Sequence, residues 1–122
     1  MPRSICRAIA CAALLSLWAS PVLAHAALVS ATPGPDEVVE GSPAELVATF
    51  SQNLDPSRTS LVVRDGSGTV VARGGAPGAS RREFRLVLPE LVPGEYEVRW
   101  TSFSAEDGEL ARGTYRFTVI TA

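Results

Sequence analysis

From Leu91 to Val119 the chain reads LVPGEYEVRWTSFSAEDGELARGTYRFTV, and for much of that length its polarity alternates residue by residue. Tyr96, Val98 and Trp100 fall on one side of an extended strand, while Glu95, Glu97 and Arg99 fall on the other. A half-buried strand satisfies this period of two and a helix does not. Tyr115, Phe117 and Val119 alternate in the same way with Thr114, Arg116 and Thr118, and Pro93-Gly94 marks the turn into the first strand. Two strands therefore flank a polar loop, Ser102 to Arg112, that carries Glu106, Asp107 and Glu109. Loops held by rigid strands are where binding groups concentrate.

Other strands precede this pair. In Ala44 to Phe50, Leu46, Ala48 and Phe50 share one face. Thr59 to Arg64 is β-branched and apolar, and Asp65-Gly66-Ser67-Gly68 signals a hairpin into Thr69 to Arg73. Phe84, Leu86 and Leu88 alternate with Glu83, Arg85 and Val87 until Pro89 stops the strand. His25 to Ser30 reads as a short extended segment, and Val38-Val39 as a brief apolar return after the break TPGPD at 32–36. Gly74 to Ser80, GGAPGAS, is expected to be a mobile connection. After Ala24 no ten-residue stretch combines helical periodicity with freedom from proline and glycine. The expectation is an all-β fold of about seven short strands, a two-sheet β-sandwich with Greek-key connections. Trp100 and Tyr115 are expected in the core, Glu95 and Glu97 outside it. Arg81, Arg82 and Arg85 are expected on a solvated edge strand, where charge discourages edge pairing.

Residues 1–24 read as a secretory signal peptide. Arg3 and Arg7 give a positive start, AIACAALLSLWA is an apolar run too short to span a bilayer, and Val22-Leu23-Ala24 supplies a cleavage site. Residues 25–122 then form one small domain. Both cysteines, Cys6 and Cys11, lie in the leader, which leaves the exported domain without a disulfide. A lipoprotein reading of Cys11 places most of the apolar run on the wrong side of the cysteine. With nine arginines, no lysine and thirteen acids, the exported domain carries a net charge of −4. That balance argues against nucleic acid as a partner. With no second apolar run of spanning length, the domain is expected to be soluble after signal removal.

The order of motifs resembles the CopC-type periplasmic copper-resistance domain. His25 to Pro33 has the pattern His-Ala-x-Leu-x-Ser-x-x-Pro, and Phe50 to Leu54 has Phe-Ser-x-x-Leu. Leu91 to Trp100 has Leu-x-Pro-Gly-x-Tyr-x-Val-x-Trp, and Gly113 to Val119 has Gly-x-Tyr-x-Phe-x-Val. The resemblance implies a seven-stranded immunoglobulin-like or cupredoxin-like β-sandwich or barrel in the periplasm, a copper(II)-binding carrier or buffer in copper resistance and homeostasis that hands the metal to an inner-membrane importer of CopD type. It also implies a metal site made by the amine and imidazole of an N-terminal histidine, here His25, and by the aspartate and histidine of an Asp-x-His loop. Asp107 matches the aspartate, whereas Glu109 stands where the loop histidine would be. The expected metal residues are therefore His25, Asp107 and Glu109, with Glu106 the substitute if the loop register shifts by one. The loop holds one residue more than the usual pattern between Trp100 and Asp107, and Gln52 stands where some members have a glutamate.

The residues also permit blander readings. A lone histidine near a chain end is usually solvated, and Asp107 and Glu109 fit a solvated acidic loop. Ala24-His25-Ala26 is itself an A-x-A pattern, so a cut after Ala26 would remove His25. Catalysis is not expected. Ser102 and Ser104 precede the acids, but a hydrolytic triad needs a histidine base and the sole histidine is at the start. The rival reading is an exported immunoglobulin-like interaction module with a degenerate copper site.

Overall fold

The computed structural model describes residues 25–122. The signal-peptide expectation for residues 1–24 lies outside the described residues. Among the described residues nine strands run in chain order: β1 Leu28–Thr32, β2 Val38–Glu40, β3 Glu45–Phe50, β4 Ser60–Arg64, β5 Val70–Gly74, β6 Ala76–Pro77, β7 Glu83–Val87, β8 Gly94–Phe103 and β9 Leu110–Ile120. One 3₁₀ turn, Pro56–Arg58, joins β3 to β4 and is capped by Asp55, whose carboxylate accepts from the Ser57 N–H. Among the described residues no helix is long and apolar enough to cross a membrane.

The strands form two sheets, ordered β1-β3-β7-β6 and β2-β9-β8-β4-β5. All neighbours are antiparallel except β2 and β9. The all-β, two-sheet reading of the sequence holds, with more strands than the seven expected. The additions are short. β2 is three residues long and pairs with the end of β9, and β6 is two residues long and pairs with β7.

The period-two faces close on one another. Leu46, Ala48 and Phe50 from β3 and Phe84 and Leu86 from β7 meet Leu61, Val63, Tyr96, Val98, Phe117 and Val119 from the opposite sheet. Phe50, Phe84 and Phe117 are each only 1% exposed, and burying a side chain of this kind stabilises by about 1.5–3 kcal/mol. The Arg116–Glu95 pair on the outer face spans 3.4 Å with both side chains more than 60% exposed, an arrangement worth about 0–1 kcal/mol. Burial, rather than surface ion pairing, therefore dominates the stability of this sandwich.

Trp100 and Tyr115 sit at the margin of the core, half-buried and packed against it. The Trp100 ring meets Phe50 edge-on, with centroids 5.6 Å apart. Tyr96 stacks on Phe117 at 5.6 Å, and its hydroxyl donates to the Val92 carbonyl at 2.6 Å, so a buried phenol keeps a polar partner.

Two local expectations are corrected. The glycine-rich stretch 74–80 is not a free connection: Ala76 and Pro77 pair with β7, Gly78 N–H bonds the Glu83 carbonyl, and Ala79 N–H bonds the Glu83 carboxylate. The sequence-local signal was correct for φ freedom and silent about a partner strand arriving a few residues later. Nor does Arg85 lie on an edge. β7 is flanked by β3 and β6, and Arg85 bonds Glu45 at 2.8 Å and Glu83 at 2.9 Å across the outer face of the sheet. Arg81 and Arg82 are exposed in the turn before it.

Candidate metal centre

The register of β1 decides where His25 goes. Leu28 pairs with Phe50 in an antiparallel ladder, so the residues before Leu28 run beside those after Phe50. His25 to Ala27 consequently lie against Ser51 and Gln52, and His25, Ala27, Ser51 and Gln52 line one shallow concavity at this end of the sandwich. Side-chain hydroxyls fix the backbone there. Ser51 donates to the His25 carbonyl at 3.1 Å and accepts the Ala27 N–H at 2.9 Å. Ala26 between them is fully buried in the core, and the buried Ser102 hydroxyl donates to its carbonyl. The His25 side chain itself is on an exposed residue. An exposed histidine is thus carried on a backbone anchored from its own carbonyl through Ala27.

The acidic loop is the tip of the β8–β9 hairpin. Phe103 pairs with Leu110, and one step further the Ser104 N–H donates to the Glu109 carbonyl at 2.9 Å. The Gly108 N–H returns to the Ser104 carbonyl at 2.9 Å, and Gly108 takes φ 67°, a left-handed conformation that glycine adopts without a Cβ clash. The β8–β9 ladder ends at the Phe103–Leu110 pair, and Glu109 lies one residue beyond it, opposite the fully buried Ser104. Glu106, Asp107 and Glu109 are all exposed.

The loop and the His25 segment meet at residues 51–54. Leu54 bridges Ser104, the Ala105 N–H donates to the Asn53 carbonyl at 2.9 Å, and the Asn53 N–H donates to the Glu106 carboxylate at 3.1 Å. Ser104 Oγ donates to Gln52 Oε1 at 2.6 Å and accepts the N–H groups of Glu106 and Asp107. One carboxylate oxygen of Glu106 is thus engaged in closing the loop onto the hinge.

The structure brings His25 and the acidic loop to the same end of the molecule, joined through Gln52 and Ser104. It does not gather them into one coordination shell: among the described residues no three His, Cys, Asp or Glu side chains stand together as a metal site. The donor set on offer is one imidazole and several carboxylates. Nitrogen with oxygen donors suits copper(II), and the lack of a second imidazole or any thiolate makes the set harder and less selective. Sequence reasoning missed the serines that hold this region together, because a serine at a strand end gives no periodic signal. The only hint was their crowding, Ser51, Ser102 and Ser104, around the two candidate segments.

Comparison with known proteins accords with this architecture. A model of the CopC domain matches residues 28–120, a span that includes Asp107 and Glu109 and begins after His25. The chain is similar to the structure of CopC from Methylosinus trichosporium OB3b, at 33% identity and a TM-score of 0.76, covering 80% of this chain and 95% of that one. It is also similar to PcoC, a methionine-rich copper resistance protein from Escherichia coli, at 31% identity and a TM-score of 0.67, covering 80% of this chain and all of that one. A search of curated proteins gave no match.

Proposed function

The chain belongs to the CopC domain family, and from that premise we propose that it is an exported copper(II)-binding protein that carries or buffers the metal in copper resistance. Copper is cargo in this reading. His25 supplies the imidazole and, once the leader is cut after Ala24, the terminal amine of the same residue. The two nitrogens close one chelate ring on the metal, and Asp107 and Glu109 add oxygen donors from the loop. The observation that carries the proposal is the shared hinge: the anchored backbone of His25 and the base of the acidic loop both bond to residues 51–54. Burial of Ala26 supports cleavage after Ala24, because a cut after Ala26 would delete a fully buried residue whose carbonyl holds Ser102.

By analogy with the family, the site of action is the periplasm and the recipient an inner-membrane importer of CopD type. Nothing in the donor set calls for catalysis, and the protein is read as a binder and not an enzyme. One observation favours the rival reading of an interaction module with a degenerate site, namely that no three metal-binding side chains converge among the described residues.

The test is to express the full chain with its leader, purify the exported protein, record its intact mass and titrate it with copper(II) while following the paramagnetic resonance spectrum. A mass beginning at His25, stoichiometric binding with nitrogen hyperfine coupling, and loss of both in His25→Ala support the copper carrier. A start at Ala27, or copper uptake that His25→Ala leaves unaltered, makes the degenerate module the better reading.

A further inference from the structure

Ser104 is fully buried at the mouth of the sandwich, where the core residues around it need no hydroxyl. A serine hydroxyl has one proton to give and two lone pairs, and Ser104 uses all three. The N–H groups of Glu106 and Asp107 point at its oxygen, at 3.2 and 3.1 Å, so its own proton is directed to Gln52 Oε1 at 2.6 Å. The same network settles the Gln52 amide: an NH₂ turned toward Ser104 would find the lone pairs already taken, so the oxygen faces the serine. Gln52 in turn lines the concavity that holds His25. One buried atom therefore ties the backbone of Asp107 to a side chain next to His25.

We infer that Ser104 is a positioning residue for the copper site, setting through Gln52 the distance and orientation of the Asp107 loop relative to His25. The inference rests on the copper-binding reading above. Ser104 touches no metal in this scheme. It acts as a group behind the ligands, and loss of such a group commonly weakens metal affinity about 10–100-fold. The Gln52 bond also accounts for a neutral amide beside an imidazole and several acids: it can accept from Ser104 without adding a further negative charge to the hinge.

The experiment compares exported wild-type protein with Ser104→Ala, Gln52→Leu and the double variant. Copper(II) affinity is measured by competition with a chelator, the paramagnetic resonance spectrum is recorded at one equivalent of copper, and thermal unfolding is followed without metal. The expected result is a loss of affinity of about 10–100-fold in Ser104→Ala with an altered parallel hyperfine splitting, a loss in the same direction in Gln52→Leu, and a double variant no weaker than Ser104→Ala. Unchanged affinity and spectrum, with only the unfolding temperature lowered, would overturn the inference, as would losses that simply add in the double variant. If Ser104→Ala does not fold, Gln52→Leu alone decides in the same terms. Wild-type protein that binds no copper(II) would remove the copper reading itself and this inference with it, an outcome distinct from wild-type binding that the variants leave untouched.

Discussion

The indole of Trp100 lies across Gly113, its cross-strand partner, so closely that a Cβ at position 113 would sit 2.6 Å from Cζ2 and 2.7 Å from Cε2. Real Cβ atoms do not approach other atoms to that distance, so any side chain at 113 must push the indole away. The indole that would have to yield also packs against Phe50 of the core, with ring centroids 5.6 Å apart. The requirement for glycine between Arg112 and Thr114 is thus one of close approach.

Gly113→Ala is therefore expected to behave as an overpacked core variant. Such changes cost about 1–3 kcal/mol, which for a domain of this size lowers the unfolding temperature by on the order of 10 °C. Thermal unfolding by circular dichroism measures it. An unfolding temperature within a degree or two of wild type would mean that the indole can leave Gly113 without cost.

How far the sequence disclosed this molecule depends on the range of the interaction in question. Alternation in Ala44 to Phe50, Arg82 to Leu88 and Glu95 to Trp100 named the core faces correctly, because burial on one side of a strand writes itself into every second residue. The Asp65 turn was equally plain, since its contacts, Ser67 and Thr69 N–H on the Asp65 carboxylate, lie within four residues. The pairing of Ala76-Pro77 with β7 and the Arg85–Glu45 bridge were not legible, the second because it joins residues forty apart. The metal region divides in the same way. His25, Asp107 and Glu109 could be nominated from motif order, while the hydrogen bonds that join their segments cross 24 to 76 residues of chain through serines that carry no pattern.

Tyr115 provides a test of how the β9 end is buried. Its hydroxyl donates to the Pro33 carbonyl at 2.7 Å, and burial, aided by the nearby Glu37 carboxylate, pushes its ionisation above the ordinary tyrosine range. Tyr96 is shifted in the same direction, chiefly by burial. Stability from a neutral phenol whose folded pKa is raised is fully present below the unfolded value of about 10 and is lost as pH rises through the folded value. Absorbance near 295 nm should therefore rise at higher pH in the folded protein than in denaturant. Tyr115→Phe should cost about 1 kcal/mol. Coincident titrations of folded and unfolded chains would contradict the burial of both rings.

At the acid end three carboxylates share a direction. The Ser57 hydroxyl holds Asp55 below its ordinary value, the Ser67 hydroxyl does so for Asp65, and the Ala79 N–H followed by the Arg85 guanidinium does so for Glu83. A depressed folded pKa contributes stability above the unfolded value and loses it as pH falls through the folded one. The domain should hold its unfolding temperature down to about pH 4 and lose it progressively below. Asp65→Asn should lower the plateau and flatten the decline. A decline as steep in Asp65→Asn as in wild type would show that the Asp65 turn takes no part in it.

The loop offers the sharpest trial of the copper proposal, because it can be made to gain function. Glu109 pairs with Ser104 through its backbone carbonyl, so replacing its side chain leaves the hairpin closure intact. Position 109 lies one residue beyond the end of the β8–β9 ladder, opposite the Ser104 that bonds Gln52. An imidazole there would be the second in the site, a third nitrogen donor beside the His25 amine and ring, of the kind copper(II) prefers to carboxylate. Glu109→His should tighten copper(II) binding by on the order of tenfold or more, equivalent to about 1.4 kcal/mol, and add a nitrogen coupling to the resonance spectrum. The control is Glu106→His. One oxygen of Glu106 is held by the Asn53 N–H, so that substitution should remove one of the bonds between the loop and the hinge and bring no gain in binding. A gain in Glu106→His with none in Glu109→His would mean that the loop presents its donors one residue earlier, with Glu106 in the role assigned to Glu109. No gain in either would remove positions 106 and 109 from the copper site and leave His25 and Asp107 as its proposed ligands.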